Sequence, residues 1–385
     1  MKLNAAVVGT GFIGPVHVEA LKRIGVNVKG IVGSSPEKSI AASEDLNLPG
    51  RYESIEDVLR DDNVDVVHLA TPNKFHFDQT KLALAAGKHV LCEKPLAMNS
   101  QQSAELVRIA NESGLVTGVA YNIRFYPLCH EAAARISQSN FGETLHVTGS
   151  YVQDWLLKQS DFNWRVVAGE GGDLRAVADI GTHWLDLVQF ITGQSVVSVC
   201  ADLQTVHSTR YRAIGATLTF SGSENATETE TEAIDINTED AGCILLKFAN
   251  GARGSLHVSQ TTAGRKNCLR FEIAGSHQAL SWNSEQPNSL WVGYRDRPAE
   301  MLIRDPATMS PSAAAIASYP GGHAEGFPDT FKQLFQTFYN YIADGDFAAP
   351  RQFPTFDDGH REVMLCEAIL KSHREQAWVD VAHTA

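Results

Sequence analysis

The chain has little of what would tie it to a charged polymer, a membrane or a disulfide scaffold. Lysine and arginine number 32 against 45 acidic residues, a formal net charge of -13. A surface of that sign offers no electrostatic footprint to nucleic acid or an anionic membrane, so neither is expected as a partner. No apolar run approaches the ~20 residues of a membrane span. The first residues run straight into an apolar segment, with no room for a basic stretch and a signal core, so no export leader is expected. The six cysteines are scattered, and none stands at C-x-x-C spacing. That reads as reduced thiols in a cytoplasmic protein, not a zinc or redox site. There is no internal repeat and no set of metal ligands, so a metal-independent chemistry is expected.

What is present divides in two. The 385 residues exceed what one core comfortably serves, so about two domains are expected. Up to residue 123 short apolar runs alternate with helical patterns. Ala5–Val8 lacks polar alternation, as a strand buried on both faces should. Val26–Val32, Val64–Leu69, His89–Cys92 and Val116–Tyr121 read likewise. Between them Val16, Ala20, Leu21 and Ile24 fall at helical spacing, Ser54-Ile55-Glu56-Asp57 reads as a capping box, and His76–Ala86 and a segment from Asn99 or Ser100 to Gly114 are helical. This repetition predicts an α/β Rossmann domain with a doubly wound parallel sheet over residues 1–123. From 124 to 385 strands cluster: 146–154, 196–204, 216–220, 243–248, 253–259, 269–274 and 278–282. Asn250-Gly251 is a hairpin signal. Helices are expected at 127–137, 182–192, 327–342 and 358–372, and 221–238 reads as a polar, acidic loop. Grouped strands predict an α+β domain with an open, largely antiparallel sheet.

Gly9-Thr10-Gly11-Phe12-Ile13-Gly14 follows the first strand and opens the first helix. In that context the glycines mark a dinucleotide site: Gly9 for the tight turn, Gly11 for approach of the pyrophosphate, Gly14 for helix–strand packing. The helix N-terminus then faces the phosphates. NAD enzymes usually place an acid at the end of the second strand for the ribose 2′-hydroxyl. Here the chain reads Gly33-Ser34-Ser35-Pro36-Glu37-Lys38. Without that carboxylate a 2′-phosphate is not repelled, and Ser34, Ser35 and Lys38 can hold one, so the cofactor is NAD or NADP with a lean to NADP. The plainer alternative has the serines capping the next helix and Lys38 in solvent. Thr71-Pro72-Asn73 lies beyond another strand's carboxyl end, where ligands of open α/β sheets sit. His76 follows one turn later, in the cleft or at the surface.

Glu93-Lys94-Pro95 also follows a strand, which aims Lys94 at the nicotinamide side. A cis Lys94–Pro95 bond is expected there. In the second domain Asp179 and His183 stand four apart where a helix begins, a spacing that sets a carboxylate and an imidazole on one side. Taken singly, Lys94 reads as a surface charge, Asp179 as an N-cap and His183 as an ordinary helix residue.

Together GTGFIG, ATPN with His76, AGKHVLCEKPLA and DIGTHWLDL resemble, in order and spacing, the glucose–fructose oxidoreductase / inositol dehydrogenase (Gfo/Idh/MocA) family. The resemblance implies NAD(P)-dependent oxidation of a sugar or cyclitol hydroxyl. Lys94, Asp179 and His183 take the family's catalytic positions, and the exposed sheet face makes a homodimer or homotetramer. His183 is then the proton acceptor and Lys94 the hydrogen-bond donor to the alkoxide. The stretch from Gln153-Asp154-Trp155 through Asn163-Trp164-Arg165, with Gly322-His323-Ala324-Glu325-Gly326, is similar to pyranose-oxidising members, levoglucosan dehydrogenase-like proteins among them, which implies oxidation of a ring hydroxyl, often at C3. Asn122, Arg124, Trp155, Arg165 and His323 are the candidate substrate contacts. Core packing rivals that role for the tryptophan, and ion pairing rivals it for the arginines. No basic cluster marks a phosphate site, so the sugar is expected to be unphosphorylated. The alternatives are an inositol 2-dehydrogenase or aldose C1 dehydrogenase, and, in another class, a non-catalytic nucleotide-binding regulator.

Overall fold

The structure, a computed structural model, describes residues 3–214 and 230–382. Contacts divide the chain into two compact units, Met1–Phe125 with Phe327–Val363, and Tyr126–Gly326 with Met364–Ala385. The hydrophobic pattern changes once, near residue 123. In the fold, however, residues 327–363 group with the N-terminal segment. A helical period says that one face is buried, not which sheet it covers.

The first unit is a parallel sheet of β1 (Asn4–Val8), β2 (Asn27–Val32), β3 (Val66–Leu69), β4 (His89–Cys92) and β5 (Thr117–Val119), in the order β2-β1-β3-β4-β5. Its strands are as apolar as burial on both faces demands: Ala5, Ala6, Val7, Val66 and Val67 are fully buried. The helices are α1 (Ile13–Arg23), α2 (Pro36–Asp45), α3 (Ile55–Arg60), α4 (His76–Ala85) and α5 (Ser100–Ser113). Their ends are written locally. Ser54 and Asp57 form the capping box of α3. Asn99 caps α5 by accepting from the Gln102 N–H, and Gly114 closes it in the left-handed region. β5 is shorter than its apolar run, because the chain turns at once into a 3-10 turn, Asn122–Phe125.

The second unit runs α6 (Pro127–Ile136), β6 (Thr144–Val152), α7 (Ala168–Gly171), α8 (Thr182–Thr192), β7 (Val196–Gln204), β8 (Thr209–Ala213), β9 (Thr231–Asp235), β10 (Ala241–Phe248), β11 (Arg253–Ser259), β12 (Cys268–Gly275), β13 (Gln278–Asn283), β14 (Ser289–Tyr294), β15 (Glu300–Ile303) and α9 (Pro311–Ile316). The remaining elements are α10 (Phe327–Asp344), α11 (Phe356–Glu375) and β16 (Val379–Asp380). Nine strands form one sheet, β15-β14-β13-β12-β6-β11-β10-β7-β16, antiparallel except between β6 and β11. The Asn250-Gly251 turn joins β10 to β11, with Gly251 at φ 91.

Two departures from the sequence reading appear among the described residues. The segment 221–238 is not all loop: β9 pairs with β8 as a two-stranded ribbon. The expected strand at 216–220 lies outside the described residues. β14 and β15 went unread because their outward residues are themselves apolar, which erases the two-residue alternation (Trp291, Met301 and Ile303 are exposed).

One face of the large sheet carries α8. Trp184 is wholly buried against it and donates its indole N–H to the Arg270 carbonyl at 2.8 Å. Gly149 makes room for this: a Cβ there would stand 2.4 Å from the indole nitrogen. This contact fixes the height at which the start of α8 leaves the sheet. Among the described residues no helix is long and apolar enough to cross a membrane.

Candidate functional site

In the first unit the phosphate loop is shaped by two close backbone approaches. Gly9 has φ +120, and a Cβ on it would lie 2.3 Å from the Ala70 carbonyl oxygen. A Cβ on Gly14 would lie 1.8 Å from the Gly9 carbonyl oxygen. Gly11, between them, borders open space: a Cβ there meets nothing within 4 Å. The loop thus closes tightly at both ends and leaves its middle open for a ligand. α1 starts behind it with Phe12 at the N-cap, whose side chain cannot cap the helix, and with Ile13 in the first turn. An open loop ahead of an uncapped helix N-terminus suits a pyrophosphate, so the residues fit a dinucleotide. The loop after β1 and that after β3 flank the point where strand order reverses, as the sheet rule requires.

The ribose loop resolves into two roles. Ser35 is the N-cap of α2, accepting from the Lys38 N–H at 3.4 Å. Ser34 accepts from the Lys38 ammonium at 3.1 Å, and both residues are on the exposed side of the loop. The carboxylate of Glu37 is held below its usual range, first by the Ser35 hydroxyl.

The loops after β3 and β4 are tied together by His76. It is fully buried, with Nδ1 2.7 Å from the Pro95 carbonyl oxygen and Nε2 2.8 Å from that of Thr71. Burial lowers its pKa, while the two carbonyls pull the other way. Asn73 opens a 3-10 turn directly after Pro72. The Lys94–Pro95 peptide is cis. Beneath it Glu93 accepts from the Lys94 N–H at 3.2 Å and lies 3.1 Å from His17 Nε2. The line continues inward from His17 to His68 (3.1 Å) and on to the Tyr339 hydroxyl (3.0 Å). Burial holds His68 well below its ordinary value, with His17 adding to the effect. Glu93 is therefore turned toward the core under the loop and braces the backbone of Lys94, which is itself half-buried.

In the second unit Asp179 and His183 lie where the sequence pattern sets them, but Asp179 is not an N-cap. The helix begins before it, in a π-helical turn over Val177–Gly181 that runs into α8. Such turns recur at functional sites. Asp179 accepts from Gln260 Nε2 at 2.7 Å and faces Arg165 Nε at 3.3 Å. Arg165 also lies over the Trp164 ring, 4.4 Å from its centroid. His183 is buried beside Tyr151, with ring centroids 6.3 Å apart. Tyr151 and Gln153 both donate to Asn267 Oδ1, and the Trp155 indole donates to Gln153 Oε1. Burial first, then Tyr126 and Asp179, push the Tyr151 hydroxyl up and keep it neutral.

Arg165 and Trp155 are thus brought toward the Asp179 group, Trp155 with its ring also against the small core of Leu156, Val166 and Ile236. His323 is exposed on a separate cavity of ≈ 380 Å³ that it shares with Asn288, Ser289 and Arg304. Asn122 donates to Thr330 at 2.7 Å and Arg124 pairs with Asp358 at 3.4 Å, both within the first unit. Tyr151, Gln260 and Asn267 carry no motif. Only the inward phase of Tyr151 on β6 hinted at them. Among the described residues no group of three or more His, Cys, Asp or Glu is placed to hold a metal ion.

A methyl group on Gly14 must displace the Gly9 carbonyl. Gly14→Ala is expected to weaken NADH binding at least tenfold in a fluorescence titration. Unchanged affinity would contradict the assignment of the loop.

Comparison with known proteins agrees with this geometry. A family model described as "Oxidoreductase family, NAD-binding Rossmann fold" matches residues 3–121, and one for the GFO/IDH/MocA C-terminal domain matches residues 129–281. The chain is 27% identical to the levoglucosan dehydrogenase of Pseudarthrobacter phenanthrenivorans over 98% of each chain. It is 28% identical to an NADP(+) D-xylose 1-dehydrogenase of Haloferax volcanii over 67% of this chain and 73% of that one. A levoglucosan dehydrogenase solved with NADH and levoglucosan matches with a TM-score of 0.86 at 26% identity, covering 100% of both chains. An inositol dehydrogenase homolog from Azotobacter vinelandii, solved with NAD+, matches with a TM-score of 0.84 at 25% identity over 99% of this chain and 97% of that one. The chain therefore belongs to the Gfo/Idh/MocA family of NAD(P)-dependent oxidoreductases.

Proposed function

We propose that the protein oxidises a ring hydroxyl of an unphosphorylated pyranose, at C3, with NADP used at least as well as NAD. What supports this is the chemistry carried at two element ends: Lys94 at the carboxyl end of β4, braced by Glu93, in the first unit, and His183 one turn beyond Asp179 in the second. The bound nicotinamide supplies the hydride acceptor. His183 takes the hydroxyl proton, and Lys94 donates a hydrogen bond to the oxygen as charge develops on it. Asp179, held by Gln260 and Arg165, binds a neighbouring hydroxyl or orients His183. Arg165 is neutralised by Asp179, which favours an uncharged sugar over a phosphate ester. The NADP preference is supported by the absence of an acid at the end of β2 and by Lys38 beside Ser34. The free thiols support a cytoplasmic setting.

A second copy of the chain is the proposed partner. The strand register sets Leu245, Ser255, Thr148, Glu272, Ser281, Trp291 and Met301 in one row across the sheet's open face. Leu245 is 51% exposed and Met301 57%. Apolar residues of this size aligned on one face suit a self-complementary contact.

Two measurements check these assignments. Lys94→Ala and His183→Ala should each lower turnover at least a hundredfold with a panel of pyranoses and cyclitols, while the Kd for NADPH stays within about threefold. Turnover within tenfold of wild type in both would refute the catalytic roles, and a cyclitol preferred over every pyranose would refute the substrate class. Leu245→Arg with Met301→Arg should convert a dimer or tetramer to monomer in light scattering. An unchanged mass would refute the interface.

A further inference from the structure

The helix that carries Asp179 and His183 does not start by itself. Its first N–H groups are held from outside by Glu239, on the residue pair that leads into β10. Glu239 Oε1 accepts from Val177 N–H at 2.8 Å and from Arg175 N–H at 3.0 Å, and Oε2 accepts from Arg175 N–H at 2.9 Å. The Arg175 carbonyl in turn accepts from the Asp179 N–H at 2.7 Å. The next residue, Asp240, binds the buried guanidinium of Arg175 and, at 2.6 Å, that of Arg210 from β8. The Asp240 carbonyl accepts from the backbone N–H of Gln260, whose side chain donates to Asp179. Two consecutive acids therefore reach Asp179 from both sides, one through the helix start and one through Gln260.

We propose that Glu239 is a positioning residue for the oxidation assigned above: its ionised carboxylate seats the π-helical first turn and so sets Asp179 and His183 in working geometry. The inference rests on that reading of the reaction. The charged groups around Glu239 are Arg175 from the segment ahead of the helix, Asp240 beside it, and Arg210 behind Asp240. Burial pushes Asp240 up, but Arg175 and Arg210 outweigh it and keep its carboxyl below the ordinary value. Burial pushes Glu239 up to about 7, against the N–H groups of Val177 and Arg175. Glu239 thus changes charge in the range where a dehydrogenase is assayed. An ionised carboxylate accepts N–H bonds more strongly than a protonated one.

The sign separates positioning from mere stability. Unfolded, this carboxyl loses its proton near 4.5; folded, near 7. Its contribution to stability is fully present below the lower value and lost as pH rises through the upper one. A purely structural role makes wild type lose ground to a neutral isostere as pH rises. A positioning role makes it gain.

Glu239→Gln mimics the protonated group at every pH. The ratio of wild-type to E239Q kcat/KM should rise from about one at pH 5.5 to about tenfold at pH 8.5, with NADPH affinity unchanged. Glu239→Ala removes the acceptor itself, and hydrogen exchange of the amides of residues 175–179 should be about tenfold faster in it than in wild type at both pH values. A kcat/KM ratio that is flat or falls with pH, or exchange in Glu239→Ala equal to wild type, overturns the inference. Should no sugar be oxidised by wild type, the proposed reaction has failed, and the exchange arm still decides whether Glu239 holds the turn.

Discussion

The Gly9 carbonyl oxygen stands where a side chain on Gly14 would begin, and the first unit is built around that contact. It lets α1 start hard against the end of β1, and the helix N-terminus then faces the open space at Gly11. The second unit solves the same physical problem in the opposite way. The helix bearing Asp179 and His183 also presents bare N–H groups, but a carboxylate of the chain itself occupies them. One helix end is left open for the phosphates of a ligand, and the other is filled by Glu239 and serves to place side chains.

Much of the first unit was legible because its rules are local. Glycine spacing, the Ser54–Asp57 capping box, Asn99 at an N-cap and the uninterrupted apolar strands each follow from neighbours in the chain. Lys94 could be placed by the same logic, since it simply follows a strand. What could not be read is non-local. Nothing near His17 in sequence announces that it bridges Glu93 and His68. Nothing in the helical period of α10 says that Phe335 packs against those two histidines.

The second unit was harder for a related reason. Its helix start lacks a capping residue of its own, so Asp179 seemed the natural cap. The true anchor lies 60 residues on, in Glu239 and Asp240, beside a stretch whose acidity reads as solvent exposure. Both acids are in fact buried, each matched to buried N–H groups or guanidinium. Arg165, a candidate substrate contact, faces the Asp179 carboxylate, an ion pair that no local pattern announced.

In the proposed reaction a hydride leaves a sugar carbon for the nicotinamide of a cofactor whose pyrophosphate is held at the Gly9–Gly14 loop. The direct measurement is isotope transfer: a pyranose deuterated at C3 is incubated with the protein and oxidised cofactor, and the reduced cofactor is examined by mass spectrometry and NMR. The account predicts one deuterium at nicotinamide C4. Reduced cofactor without deuterium would contradict oxidation at C3, and tight cofactor binding with no reduction by any unphosphorylated sugar would contradict the enzyme altogether.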